Sequence, residues 1–383
     1  MPTHFSLEEM QARRGAIAKR LNELKLEGLL IFKQESMYYL TGYDSFGFSM
    51  FQCLVIDNDG NTALLTRLPD LRQARYTSDI KDIRIWHDVE GVNPALELRS
   101  MLEDLGFKNR ALGIEYDSYG LKAHNWRLLE PALIDFCTLA DASTLVDLFR
   151  AVKSPKEIEY IRKAAALSDD GWDEAVRLGR PGAFEGDILA AMQGAVFRGD
   201  GDYAGNEFII GSGPSALLVR YHSGKRHLDA EDQLTLEWSG AYRRYHAAMI
   251  RTLLVGTAHA DHLAMHQACA DALVACEEAV QPGKPMGDVY QAHAKVMDSV
   301  GFKEHRMRAC GYGMGAVFNP LWVDPPMFYQ DNPRVMLPGN VFFLHMILAN
   351  SDTGRAMTLG HSVLVTDNGC ERLSRSSLEL VVN

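Results

Sequence analysis

The sequence predicts an α+β protein built from two domains, and three observations carry that prediction. The chain has 383 residues, more than a single hydrophobic core usually serves. Its N-terminal part interleaves short apolar runs with helical periodicity, the pattern of an α/β unit with a mixed sheet. Its C-terminal part alternates long helices and strand-like runs in blocks, which suits helices packed on a curved antiparallel sheet. The boundary is placed between 1–148 and 149–383.

Ser6 and Glu9 form a capping-box pattern, after which Met10, Ile17, Leu21 and Leu24 recur at helical spacing until Gly28 offers a stop. LLIF at 29–32 reads as a strand. CLVID and TALLT flank Asp59-Gly60, a two-residue turn signal that predicts a hairpin. IRIW at 83–86 and ALGIEY at 111–116 add strands, with the helical ALELRSMLEDLG between them. Past the boundary, Ser154 can cap a helix, Pro155 fits its first turn and Glu157 can close a capping box. That helix is expected to run to about Leu178. Helices at 184–197 and 258–280 follow, and LTLEW, MIRTLLV, VFFLHMIL and HSVLVT read as the strands between and after them.

Composition narrows the functional classes. Hydrophobic residues make up 47% and charged residues 23% of the chain, an ordinary globular balance. A formal net charge of -11 opposes a phosphate backbone, and no basic stripe interleaved with aromatics offsets it, so nucleic acid is not an expected partner. No run approaches the ~20 apolar residues needed to cross a bilayer, so no membrane is expected. The start, MPTHFSLEEMQARRGAIAKRL, lacks the apolar core of a signal peptide, which points to the cytoplasm. The six cysteines show no CxxC or CxxH spacing, as befits buried thiols in a reducing compartment.

RAVKSPKEIEYIRKAA, LEWSGAYRRYHAAMIRTLLVG, GYGMGAVFNP, LPGNVFF and HSVLVTDNGCERLS, in that order, resemble the creatinase and aminopeptidase-P family. The resemblance implies an N-terminal creatinase-like domain followed by a catalytic domain with the pita-bread fold, assembled as a homodimer. Metallopeptidases of this family hold two metal ions with two aspartates, a histidine and two glutamates. On this sequence those positions fall on Glu237, Ala248, Tyr312, His345 and Gly360, the last beside His361. Alanine and glycine offer no side-chain ligand, so neither metal nor other cofactor is expected. Creatinase, a metal-free member, is similar in carrying alanine at the second position. Its two substrate-binding glutamates fall here on Ile250 and His345, which argues against creatine. LTGYDSFGF, GAYRRYHAAMIRT and the tyrosine in GYGMG resemble ectoine hydrolases more closely. That resemblance implies metal-independent hydrolysis of a C–N bond in a small cyclic amidine or a related compound.

Such a reaction needs a base, an acid for the leaving nitrogen and a group that stabilises developing charge. Glu237, where the family places its first carboxylate, is assigned to an amidinium substrate or to general-base or nucleophile duty; an internal ion pair is the alternative. His222, in VRYHSGKRH, lies where the family carries a proton-handling histidine, with His227 as the nearby alternative. His345 and His361 replace or adjoin former ligand positions, and either could instead be a core histidine with both nitrogens satisfied. Tyr312 could donate its hydroxyl to developing charge. Tyr245, His246 and Arg251 share one strand and are candidates for substrate contact, Arg251 also for a structural pairing with a carboxylate. Asn319 stands where the family has a second histidine and cannot shuttle protons. The resemblance to creatinase-like dimers implies that Tyr43 and Phe46, in YDSFGF, could form an aromatic lid in trans over a cationic substrate in the partner subunit's site, and otherwise they belong to the N-terminal core. Two further readings use the same residues differently. One is an inactive peptide- or protein-binding module, and the other is a metal-dependent Xaa-Pro peptidase using Glu237, His345 and His361.

Overall fold

A computed structural model describes residues 3–220 and 224–383. The chain divides into two compact units, Met1–Arg150 and Ala151–Asn383. His222 lies outside the described residues.

The first unit opens with α1 (Leu7–Glu23), whose N-cap Ser6 accepts from the Glu9 N–H at 3.2 Å. The helix ends before the expected Gly28, because Lys25 turns into the left-handed region at φ 57°. The Leu26 N–H then reaches back to the Leu21 carbonyl at 2.9 Å, closing the last turn. Then come β1 (Gly28–Ile31), α2 (Gln34–Thr41), β2 (Cys53–Asp57), β3 (Thr62–Arg67), α3 (Leu71–Thr77), β4 (Asp82–Trp86), α4 (Pro94–Asp104), β5 (Ala111–Ile114), α5 (Ala123–Leu133), β6 (Thr138–Asp141) and α6 (Leu145–Arg150). The sheet is mixed, in the order β4-β3-β2-β1-β5-β6. The β2–β3 hairpin forms as predicted, with a longer loop than two residues: the Asp57 carboxylate caps it by accepting from the Asp59 and Asn61 N–H groups, and Gly60 supplies φ 90°. Glu115, just past β5, is fully buried and accepts from the backbone of Phe32 and Lys33 and from the Ser36 hydroxyl.

In the second unit α7 (Pro155–Leu178) begins with the predicted capping box: the Ser154 hydroxyl accepts from the Glu157 N–H, and the Glu157 carboxylate accepts from the Ser154 N–H at 2.8 Å. Such a cap is worth about 1 kcal/mol. The chain continues through α8 (Glu185–Arg198), β7 (Ile209–Ser212), β8 (Asp232–Tyr242), β9 (Tyr245–Val255), α9 (Ala260–Ala279), α10 (Met286–Ser299), β10 (Ala309–Gly313), β11 (Asp324–Tyr329), β12 (Val341–Asn350), β13 (Arg355–Thr366) and β14 (Gly369–Arg372). Seven strands lie in the order β11-β10-β12-β13-β9-β8-β7, with β14 added beside β13.

Among the described residues, α7, α9 and α10 pack on one face of this sheet, and α8 lies against α7. Trp238 of β8 donates from its indole to the Ser168 carbonyl of α7 at 2.9 Å and stacks on Trp172. Gly240 lets β8 approach α7 closely, since a Cβ there would stand 2.1 Å from the Ala164 carbonyl oxygen. Farther along, Leu344, Met346 and Leu359 pack with Met265, Cys269 and Leu273 of α9 and Val289 of α10. Side chains alternate along a strand, so the residues between these project from the opposite face. This is the expected α+β arrangement of helices on a sheet, and the helix-free face carries the site.

Candidate functional site

Strand register gathers the site. Glu237 on β8 pairs with Ile250 on β9, Ile250 with Gly360 on β13, and Gly360 with His345 on β12. Paired residues share a face, so these four form one row across the helix-free side. Tyr312 pairs with Phe343, two residues from His345, and Ala248 stands two residues from Ile250. The five positions singled out by resemblance, Glu237, Ala248, Tyr312, His345 and Gly360, therefore belong to one patch. On β10 a register shift separates Ala309 from Tyr312. It aims both at the cavity although they are three residues apart, as a bulge does.

The cavity has a volume of ≈ 310 Å³ and is lined by Glu237, Tyr312, His345, Arg220, Arg308 and Trp322, with Asn206, Ala309 and other apolar residues completing the walls. That size lies at the small end of small-molecule sites, roughly 300–1,000 Å³.

Its polar groups form a relay. The Trp322 indole donates to the Tyr312 hydroxyl at 2.8 Å, and that hydroxyl in turn donates to the Glu237 carboxyl. Burial pushes Glu237 up to about 7, while the charge of Arg220 and the Tyr312 hydrogen bond pull the other way. Near neutral pH this group is populated in both forms, as proton transfer requires. Burial, reinforced by the Glu237 charge, raises Tyr312 well above its ordinary value, so it remains a hydrogen-bond donor. Burial drives His345 down to about 4, helped by Arg220, so its ring is neutral; Nδ1 has no hydrogen-bond partner among the described residues. Its ring packs against Tyr312 and Phe343 at centroid distances of 5.6 and 5.4 Å.

The structure corrects several expected contacts. His361 pairs with Leu344 and Met249 and so faces the helices, where Nε2 lies 2.5 Å from Glu277 of α9. His246 accepts from the Gly205 N–H at Nε2 and donates from Nδ1 to the Arg244 carbonyl, both at 2.8 Å, which uses both nitrogens structurally. The Tyr245 hydroxyl donates to Glu157 at 2.7 Å, anchoring β9 to the start of α7. Arg251 is buried on the helix face and donates to the carbonyls of Ile250 and Gly360 rather than to a carboxylate. Tyr43 is fully buried in the first unit, its hydroxyl 3.2 Å from Gln52, and so is a core residue rather than a ligand contact. Phe46 is exposed on that unit, at 79% of its surface. His227 packs its ring on Phe184, outside the cavity, and Asn319 does not line it. Sequence reasoning missed Arg220, Arg308 and Trp322. Arg220 sits in VRYHSGKRH and Arg308 just before GYGMG, both segments already singled out; Trp322 had no local signal.

Comparison with known proteins gives this geometry a lineage. Residues 159–367 match the model of "Metallopeptidase family M24", and residues 13–152 match "Creatinase/Prolidase N-terminal domain". The chain belongs to metallopeptidase family M24. Among its M24 relatives, the ectoine hydrolase of Halomonas elongata is 28% identical, the match covering 99% of this chain and 98% of that protein. The Xaa-Pro dipeptidase of Pyrococcus furiosus is 20% identical, covering 97% of this chain and 100% of that one. In structure, the prolidase of Thermococcus sibiricus superposes with a TM-score of 0.87 at 17% identity, over 99% of this chain and 100% of that one. These likenesses establish an M24 pita-bread domain behind a creatinase-type N-terminal domain, and a hydrolase family.

A metallopeptidase family implies bound metal, and the donors here do not fit one. Of the five patch positions, Ala248 and Gly360 have no donor, leaving one carboxyl, one phenol and one imidazole. A Cβ at position 360 would stand 2.3 Å from the Leu344 carbonyl oxygen, so even the space for a ligand side chain is taken. Among the described residues no group of three or more His, Cys, Asp or Glu side chains could hold a metal ion.

Proposed function

We propose that this M24 protein hydrolyses a C–N bond in a small cyclic amidine or a closely related compound, without a metal. The single observation behind the proposal is Glu237: a cavity carboxyl held near pKa 7 and hydrogen-bonded to Tyr312, in a patch whose donors suit proton transfer and do not suit metal. Ionised Glu237 takes a proton from a water whose oxygen bonds to the amidine carbon. The resulting tetrahedral carbon carries the new hydroxyl and both nitrogens. Protonated Glu237 then returns the proton to one nitrogen as its bond to carbon breaks, accepts the hydroxyl proton as the carbonyl forms and passes it to the released amine, leaving an amide and an ammonium. Tyr312 and neutral His345 offer hydrogen bonds to the tetrahedral centre. The 28% identity to ectoine hydrolase supports the substrate class.

The test is incubation of the purified, chelator-treated chain with ectoine and with an Xaa-Pro dipeptide, followed by mass spectrometry. Ring opening that survives chelation and is abolished by Glu237→Gln is the expected result. Dipeptide cleavage lost on chelation would replace this reading with a metal-dependent peptidase, and inactivity toward both would favour a binding module. Homodimeric assembly is part of the same proposal and is checked by sedimentation.

A further inference from the structure

We infer that Asn206 selects which C–N bond breaks: its Oδ1 accepts a hydrogen bond from the amidine nitrogen that stays on as the amide, and His246 is the positioning residue that holds it there. This rests on the reading of the cavity as a hydrolase site. Asn206 lines the cavity together with Glu237. Its Nδ2 donates to the Glu207 carbonyl at 2.7 Å, which orients the side-chain amide, and Oδ1 makes no hydrogen bond among the described residues. The backbone before it is fixed by buried contacts. The Gly205 N–H donates to Nε2 of His246 at 2.8 Å, and Nδ1 of the same ring donates to the Arg244 carbonyl at 2.8 Å. His246 is fully buried, and its own N–H donates to the Gly315 carbonyl at 3.0 Å. Gly205 also lies against the segment that ends in Trp322. A Cβ there would stand 2.7 Å from the Leu321 carbonyl oxygen and 3.4 Å from the Trp322 nitrogen, so glycine lets two cavity-lining segments meet.

The inventory of the cavity gives Oδ1 its partner. Arg220, Arg308 and the Trp322 indole are donors only, and the Tyr312 hydroxyl donates to Glu237. In the reaction above, neutral His345 donates to the tetrahedral centre, and Glu237 serves first the attacking water and then the nitrogen that leaves. A protonated cyclic amidine carries an N–H on each nitrogen, and an N–H enclosed without an acceptor weakens binding. Among the lining side chains the thioethers of Met307 and Met327 are weak acceptors, which leaves the amide oxygen of Asn206 for the second nitrogen. One carboxyl reaches one nitrogen at a time. The nitrogen beside Glu237 takes its proton and departs as its bond to carbon breaks. The nitrogen held by Asn206 keeps its bond and becomes the amide. An unsymmetrical ring therefore opens in one direction.

The test uses the full-length chain and ectoine, an unsymmetrical cyclic amidine that can open to either of two isomeric amides, separated by chromatography and told apart by fragment-ion mass spectrometry. Kd is measured by calorimetry in the E237Q background. Wild type should give one isomer in at least about tenfold excess. Asn206→Leu, of similar size and without an acceptor, should give both isomers in comparable amounts and raise Kd about tenfold. Asn206→Asp keeps the acceptor and loses Nδ2, so it should retain the single isomer and the affinity. A merely structural role, resting on the bond to Glu207, would make the Asp variant fail as the Leu variant does. His246→Phe should behave like Asn206→Leu, and His246→Gln, whose side-chain carbonyl can accept from the Gly205 N–H, should keep the wild-type isomer; unfolding curves confirm that each variant is folded. Both isomers from wild type, or one isomer from wild type and Asn206→Leu alike, would overturn the inference and leave the hydrolase reading standing. Affinity lost in Asn206→Leu and kept in Asn206→Asp, with no product from wild type, would sink the hydrolase reading and leave the contact to Asn206 standing. Neither binding nor product would overturn both.

Discussion

Replacing Glu237 by glutamine should abolish turnover and, above neutral pH, make the protein more stable. The carboxyl titrates near 4.5 when solvated and near 7 in the folded protein, because burial outweighs the help of Arg220 and Tyr312. A raised folded pKa means that the native state holds the proton more tightly than the unfolded chain. The stability this group contributes is therefore fully present below about pH 4.5 and is lost as pH rises through 7. The difference between 4.5 and about 7 sets an upper bound of about 3 kcal/mol. Because Glu237 keeps part of its surface on the cavity, about 2 kcal/mol is the working figure. Glutamine preserves the neutral form at every pH, so E237Q should match wild type near pH 5 and exceed it by about 2 kcal/mol at pH 8. For a domain of this size that is roughly 4–8 °C in Tm. Thermal unfolding followed through the tryptophans of the second unit, Trp172, Trp238 and Trp322, reads the transition of the domain concerned. Parallel pH dependences of wild type and E237Q would refute the argument, whatever happened to activity.

Further outcomes follow from the same site. The rate should fall as pH drops through about 7, where Glu237 takes up its proton, and a pH profile of E237Q should lack that limb; His345, neutral down to about 4, should add no limb near neutrality. Tyr312→Phe should lower kcat roughly 10²–10³-fold with little change in substrate Kd, as expected for a lost donor to developing charge. Trp322→Phe acts through Tyr312: the hydroxyl becomes a poorer donor to Glu237, so the acidic midpoint of the rate profile should move upward, and an unmoved midpoint would exclude the relay. His361→Phe should cost about 1–3 kcal/mol of stability by removing the buried partner of Glu277, while activity per folded molecule persists; a kcat collapse would show that the helix face of β13 participates in chemistry.

Local rules were readable wherever the chain itself supplies both partners. The capping box of α7 needs only Ser154 and Glu157, the β2–β3 hairpin needs only Asp57 through Asn61, and both formed. Where the motif had two solutions the sequence was ambiguous: α1 stopped at a left-handed Lys25 instead of continuing to Gly28, because a closing turn of backbone hydrogen bonds was available there. The short α2 and α5 gave no separate periodic signal, since α2 is buried on nearly all sides and so shows no polar face, and α5 carries an internal proline, Pro131.

Within the site, residue identity decided one part and register the other. That Ala248 and Gly360 cannot bind metal is a property of those residues, legible from the sequence alone. That Glu237, Tyr312 and His345 share a cavity while His361, one residue from Gly360, points into the helices depends on which strand face each occupies. A strand reverses its side chain at every residue, so a shift of one position moves a histidine from the cavity to the core. Burial then set the protonation states: the same glutamate that is a surface anion in an unfolded chain becomes a neutral-range acid when β8 carries it under the cavity wall. The sequence by itself determined the family, the two-domain plan and the loss of the metal donors. Only the tertiary structure decided which side chains meet, because pairing and desolvation arise between segments far apart in the chain.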